Sequence, residues 1–194
     1  MAATPKHRDA LVASATLLFR RHGYSGTGVQ EILQHSGAPR GSLYHYFPGG
    51  KEQIAVETVR FAGEQVHRTL LELAQEHPHP KDLLRAYARL LGDWIEASGF
   101  RDGCPITTTL LELAADVPPV AECGSAALSA WAGVFDARLT SLGCEATRAK
   151  RVAQLTIAAI EGALIQARVT RSRQPIDDAV AELGLVIDAA LRQP

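Results

Sequence analysis

The stretch that decides the fold is Thr27-Gly-Val-Gln-Glu-Ile-Leu-Gln-His-Ser-Gly-Ala-Pro-Arg-Gly-Ser-Leu-Tyr-His-Tyr-Phe47. Val29, Ile32 and Leu33 stand at i, i+3 and i+4, so they form one apolar stripe on a short helix. Gly37 follows where a tight turn needs positive φ, a conformation glycine reaches without a Cβ penalty. A second short helix then carries Leu43 and Phe47 at i, i+4 toward the same core. Arg40, Ser42, Tyr44 and His45 lie between and beside those core positions, are able to hydrogen-bond, and are expected to face out. Two short helices at a steep angle, the second polar on its outer side, have the geometry that enters a DNA major groove.

Each position in this head has a physical use. Thr27 is placed to cap the first short helix and to offer its hydroxyl to a phosphate. Arg40, Ser42, Tyr44 and His45 have the reach for base edges or backbone. Lys51 opens the next helix, where its ammonium and the unpaired N–H groups together favour a phosphate. The competing reading is a helical corner inside a larger bundle, and spacing alone does not separate the two.

Charge distribution favours the first reading. Residues 1–50 hold five Lys/Arg (Lys6, Arg8, Arg20, Arg21, Arg40) against Asp9 and Glu31, a balance of +3, together with four histidines. The whole chain is -1, which leaves -4 for the rest. A basic head on an acidic body suits a small surface that meets phosphate. Three cysteines, widely spaced and without a C-x-x-C or Cys/His pattern, argue for a reducing compartment and against a disulfide scaffold or zinc site. The sequence reads as lacking a signal peptide and a membrane-length apolar run, so a cytoplasmic, soluble protein without membrane contact is expected.

Helical periodicity continues through nearly all of the 194 residues. Glycine, proline and short polar clusters divide it into about nine helices, expected near 5–22, 28–36, 40–47, 51–76, 81–97, 106–115, 119–142, 145–170 and 176–192. The expected architecture is therefore all-α. A three-helix helix-turn-helix domain spans residues 1–50, and a larger helical ligand-binding and dimerisation domain spans 51–194. No nucleophile elbow, phosphate-cradling glycine loop, metal-ligand cluster or cofactor motif is present, so no enzyme is expected. The alternative is a helical small-molecule-binding protein or enzyme without a DNA function.

Residues 8–58 resemble the N-terminal domain of TetR-family transcriptional regulators. The resemblance rests on Ala13–Phe19, His22-Gly23-Tyr24, Thr27, Ile32, Ser36-Gly37, Gly41-Ser42-Leu43-Tyr44-His45-Tyr46-Phe47 and Lys51-Glu52. Three residues, Pro48-Gly49-Gly50, separate Phe47 from Lys51 where the family usually has two. The string Phe47-Pro-Gly-Gly-Lys-Glu-Gln53, with Gly103-Cys104-Pro105 and Ile160-Glu161-Gly162-Ala163, is similar to the LmrA/YxaF-like subgroup. The resemblance implies operator-DNA contact through Thr27, Arg40, Gly41, Ser42, Tyr44, His45 and Lys51. It also implies a repressor relieved by a small lipophilic or polyphenolic effector.

In the body, Val152–Ile165 and Ile176–Leu191 carry apolar residues at more angular positions than one core-facing stripe requires. A homodimer through the last two helices, about 145–192, is expected, with a pair buried inside a monomer as the alternative. The resemblance further implies an effector cavity in the body. Its expected walls are Trp94, Trp131 and Phe135, and its polar handles Thr107, Thr108, Glu112 and Glu161, although aromatics at helical spacing are also ordinary core. Cys104 beside Pro105 opens a helix, a position that suits a redox-active thiol as well as a buried structural one. His77 and His79 lack the further ligands a metal would need.

Overall fold

A computed structural model describes residues 5–192. Among them the chain forms nine helices and no strand. They are α1 (Pro5–His22), α2 (Val29–Ser36), α3 (Arg40–Tyr46), α4 (Gly50–Glu76), α5 (Pro80–Ala97), α6 (Thr107–Leu113), α7 (Pro118–Ser141), α8 (Ala146–Thr170) and α9 (Gln174–Arg192). Each boundary lies within two residues of the one expected from periodicity and breakers. The chain forms two compact units. One joins the described residues up to Glu64 with Cys104–Ala126, and the other joins Gln65–Gly103 with those from Ala127 onward.

The first unit is built on the apolar face of α1. Leu11, Ala15, Leu18 and Phe19 bury against Ile32 and Leu33 of α2, Leu43 of α3, Phe47, and Ile54 and Ala55 of α4. Removing each such large side chain from water contributes roughly 1.5–3 kcal/mol, which short helices such as α2 and α3 need to form at all. Turns between them are closed by glycines in left-handed conformation. Gly23 (φ 78°) ends α1, its N–H donating to the Phe19 carbonyl over 2.8 Å. Gly37 (φ 65°) caps α2. The extra residue before Lys51 is absorbed at Gly50 (φ 66°), and the Gly49 N–H donates to the Gln53 side-chain oxygen over 3.0 Å. Leu113 of α6 packs onto the same core, and Leu110 fills the space that a Cβ at Gly124 of α7 would occupy.

In the second unit, α9 packs against both α8 and α5. Lys81 of α5 pairs with Asp188 of α9. Arg173, just before α9, reaches Asp93 over 3.2 Å and Glu96 over 3.4 Å on α5. The His-Pro-His-Pro segment opens α5 as a cap: the Lys81 N–H donates to His79 Nδ1 over 3.3 Å, and Pro80 stands at the first helical position. The carboxylate of Glu145 accepts from the N–H groups of Thr147 and Arg148, which fixes the start of α8.

α8 is apolar on two faces. Val152, Ala153, Ile157, Ile160, Ala163, Leu164 and Ala167 are buried, whereas Leu155, Ile165 and Val169 are exposed, Val169 by 78%. By length and composition α8 could cross a membrane, a property the sequence reading did not assign to it. Its window sits at the lower limit, with mean hydropathy 1.2 and 44% of it buried in the fold. Along the whole helix stand Arg148, Lys150, Arg151, Glu161 and Arg168.

No side chain stands within 4 Å of where a Cβ at Gly37 would lie. Gly37→Ala should therefore act through the backbone alone and destabilise by about 1 kcal/mol. Chemical denaturation followed by circular dichroism measures this; an unchanged midpoint would show that the turn does not require its left-handed residue.

Candidate nucleic-acid interface

α3 is seven residues long and has one core-facing side chain within it, Leu43, which is fully buried. Phe47, one turn on, is 1% exposed and anchors the other end. With those positions held inward, helical geometry turns Arg40, Gly41, Tyr44 and His45 outward, and all four are exposed. Ser42 is half-buried, and Tyr44 presents 51% of its surface. His45 stacks edge-on to Tyr46, ring centroids 5.0 Å apart, so the outer face carries ordered polar and aromatic groups. Arg40, Tyr44 and His45 thus face out and Leu43 in, as the sequence predicts, whereas Ser42, also expected outward, is half-buried because it sits beside the core-facing Leu43.

Thr27 is placed differently from expectation. It is 1% exposed, and its hydroxyl donates to the Gly23 carbonyl over 2.9 Å. The N-cap of α2 is Gly28, with no side-chain cap bond. Thr27 therefore braces the α1–α2 turn from inside, because that carbonyl at the end of α1 lacks a helical partner.

Lys51 is the second residue of α4 and half-buried. Its Nζ lies 4.0 Å from the centroid of the Tyr24 ring, a cation–π contact. Burial lowers the Lys51 pKa, and the nearby Glu112 charge works in the opposite direction. Tyr24 in turn leans on Phe19 at 5.5 Å. The ammonium thus stands on an aromatic platform tied to the head's core.

Of the seven expected effector residues, Thr107, Thr108 and Glu112 belong to the first unit, and Trp94, Trp131, Phe135 and Glu161 to the second. Trp131 and Phe135 are fully buried core. The Thr108 hydroxyl donates to the Cys104 carbonyl over 3.2 Å. Glu112 accepts hydrogen bonds from the backbone N–H groups of Tyr24 and Ser25, each at 2.7 Å. Burial opposes its charge, but the Ser25 hydroxyl, these N–H groups and Lys51 outweigh that and hold its carboxyl below the usual value. Nothing in helical periodicity announces a partner 88 residues away. Gly23 was the usable signal, since a Cβ there would collide with the Glu112 carboxylate.

Between α8 and α9 a shallow groove of about 670 Å³ is lined by Ala159, Gly162, Gln166, Ala179 and their neighbours, and by none of those seven. Among the described residues no group of three or more His, Cys, Asp or Glu is placed to hold a metal ion. Cys104 and Cys144 are buried.

Residues 11–58 match the family described as "Bacterial regulatory proteins, tetR family", and residues 80–182 match "Transcriptional regulator LmrA/YxaF-like, C-terminal domain". The chain is 31% identical to the HTH-type transcriptional regulator LmrA of Bacillus subtilis, over 87% of this chain and 90% of that one. It is 36% identical to an uncharacterised HTH-type transcriptional regulator of Mycobacterium tuberculosis, over 88% of each. A crystal structure of a regulatory protein TetR from Rhodobacter sphaeroides shares the fold, with TM-score 0.82, 22% identity, and 94% and 99% of the two chains covered. These matches span the helical head and most of the body, and the chain belongs to the TetR family of DNA-binding transcriptional regulators, in its LmrA/YxaF-like branch.

Proposed function

We propose that the protein is a ligand-relieved repressor that binds a near-palindromic operator as a homodimer, with α3 in the major groove. The observation that carries this is the division of α3: Leu43 and Phe47 are locked in the core while Arg40, Gly41, Tyr44 and His45 face water. Ser42 and Lys51 complete the proposed contact set, and Thr27 supports it from within the turn. Arg40 and Tyr44 have the chemistry for base edges or phosphate, and Gly41 lets the backbone approach closely. In the functional partition we propose, residues 1–50 read DNA and 51–194 dimerise and bind the effector. As a regulator of transcription it works in the cytoplasm, where its DNA is.

The dimer interface we propose is the outer face of α8 with α9. Leu155, Ala159, Gly162, Ile165 and Val169 recur at three- and four-residue steps, an apolar seam that its own fold leaves uncovered. Two copies related by a two-fold axis would form a four-helix bundle and present two recognition helices about 34 Å, or a multiple, apart. The effector is lipophilic or polyphenolic, received in the second unit among Trp94, Trp131, Phe135 and Glu161, with Trp131 and Phe135 yielding their packed positions to it. Relief then follows only to the extent that the effector prefers the arrangement that does not bind DNA.

Selection of bound sequences from a random duplex pool at two salt concentrations tests the reading. One near-palindromic site, weakened steeply by salt, is expected; no retained sequence would refute it. On that site, Arg40→Ala and Tyr44→Ala should each weaken binding by about tenfold or more while sedimentation still shows a dimer. Wild-type affinity in both would remove α3 as the reader. Ile165→Asp places a charge in the proposed seam, and is expected to give monomers that bind the operator poorly; an intact dimer would exclude this face as the interface.

A further inference from the structure

Glu112 belongs to a helix outside the DNA-reading head, yet its carboxylate is seated on that head. Two successive N–H groups, of Tyr24 and Ser25, point at it just after Gly23 takes the left-handed conformation. Successive backbone N–H groups in such a turn form a concave anion seat. The seat is filled from α6, and only glycine at position 23 leaves room for the carboxylate. Leu113 beside it packs into the head core, and Leu110 is notched against Gly124 of α7, so the helix that carries the carboxylate is itself fixed. Tyr24, whose N–H forms half of the seat, also carries the ring on which the Lys51 ammonium stands.

We propose that Glu112 is a positioning residue for DNA binding: by clamping the Tyr24–Ser25 turn it holds the platform on which Lys51 is presented to an operator phosphate. The proposal rests on Lys51 being a phosphate contact, as the reading above has it. The clamp consists of two charge-assisted bonds, and an amide or a shorter acid in place of Glu112 cannot reproduce both. Lys51 freed from an ordered Tyr24 regains the rotamer freedom of a long side chain, which weakens any contact it makes.

The sign of the effect separates this from simple charge. Glu112→Gln removes a negative charge from a DNA-facing unit, and long-range electrostatics alone would tighten binding. Loss of positioning weakens it.

The test measures operator affinity by fluorescence anisotropy over a range of salt for Glu112→Gln, Glu112→Asp, Lys51→Ala and the Lys51→Ala/Glu112→Gln double variant. Glu52→Gln, which removes an exposed charge at the start of α4, serves as the control. Glu112→Gln should bind about tenfold more weakly, with faster amide exchange at Tyr24 and Ser25, whereas Glu52→Gln should bind as well or better. Glu112→Asp, which keeps the charge and shortens the reach, should also weaken binding, and it keeps the test decisive if the Gln variant fails to fold. In the Lys51→Ala background the further loss from Glu112→Gln should vanish. Tighter or unchanged binding in Glu112→Gln, or losses that simply add, would overturn the proposal. Lys51→Ala alone reports on the underlying reading: it should reduce the salt slope by about one phosphate per subunit, and an unchanged slope would remove Lys51 as a contact whatever Glu112 does.

Discussion

The rest of the structure depends on one constraint: a seven-residue helix must be rigid while leaving most of its surface in water. α3 is far below the length at which a helix is stable alone. Its rigidity comes from Leu43 and Phe47, inserted between α1, α2 and α4, and from the Phe47 N–H, which closes the helix by donating to the Leu43 carbonyl over 2.7 Å. α1 exists largely to receive those anchors, which is why its Leu11, Ala15 and Phe19 are fully buried. The glycines at 23, 37 and 50 follow from the same demand, since short helices packed this closely need reversals that other residues adopt only under strain.

Charge is arranged around this frame with few exposed cations left to chance. Glu57 is bridged by Arg8 and Arg60, tying the start of α1 to α4. Such exposed pairs contribute little stability in high salt. Their use is geometric, holding α1 and α4 in register beside the Phe47 ring, over which Arg8 also sits at 5.8 Å. Arg40, in contrast, stays on the exposed face of α3, the face proposed to meet DNA. The Glu112 clamp adds a third arrangement, a carboxylate neutralised by backbone N–H groups, which places an acid in the head without exposing an unpartnered charge to DNA.

How much of this was legible in the sequence follows from the range of the forces involved. Leu43 and Phe47 one turn apart, and Gly37 after an apolar stripe, are local signals, so the head and its outward face could be read directly. The two-sided apolar character of α8 was also legible, because surplus hydrophobic positions show as surplus whatever covers them. Thr27 was misplaced as a cap because its choice of acceptor depends on which carbonyl the end of α1 leaves open. The Glu112 contact was hidden for a stronger reason: its partners are backbone N–H groups of Tyr24 and Ser25, and Gly23 beside them is the one sequence feature that hints at it. Trp131 and Phe135 are fully buried, and helical spacing of aromatics is the same for a cavity lining and for a filled core, so the spacing alone does not assign their role.

Hydroxyl-radical footprinting of the selected operator tests the central claim most directly, that α3 of each subunit reads one half-site of a two-fold target. The account predicts two symmetric patches of protection centred about one helical turn, or a whole multiple of it, apart, and loss of both in Tyr44→Ala. A single patch, or uniform protection that Tyr44→Ala leaves unchanged, would contradict it.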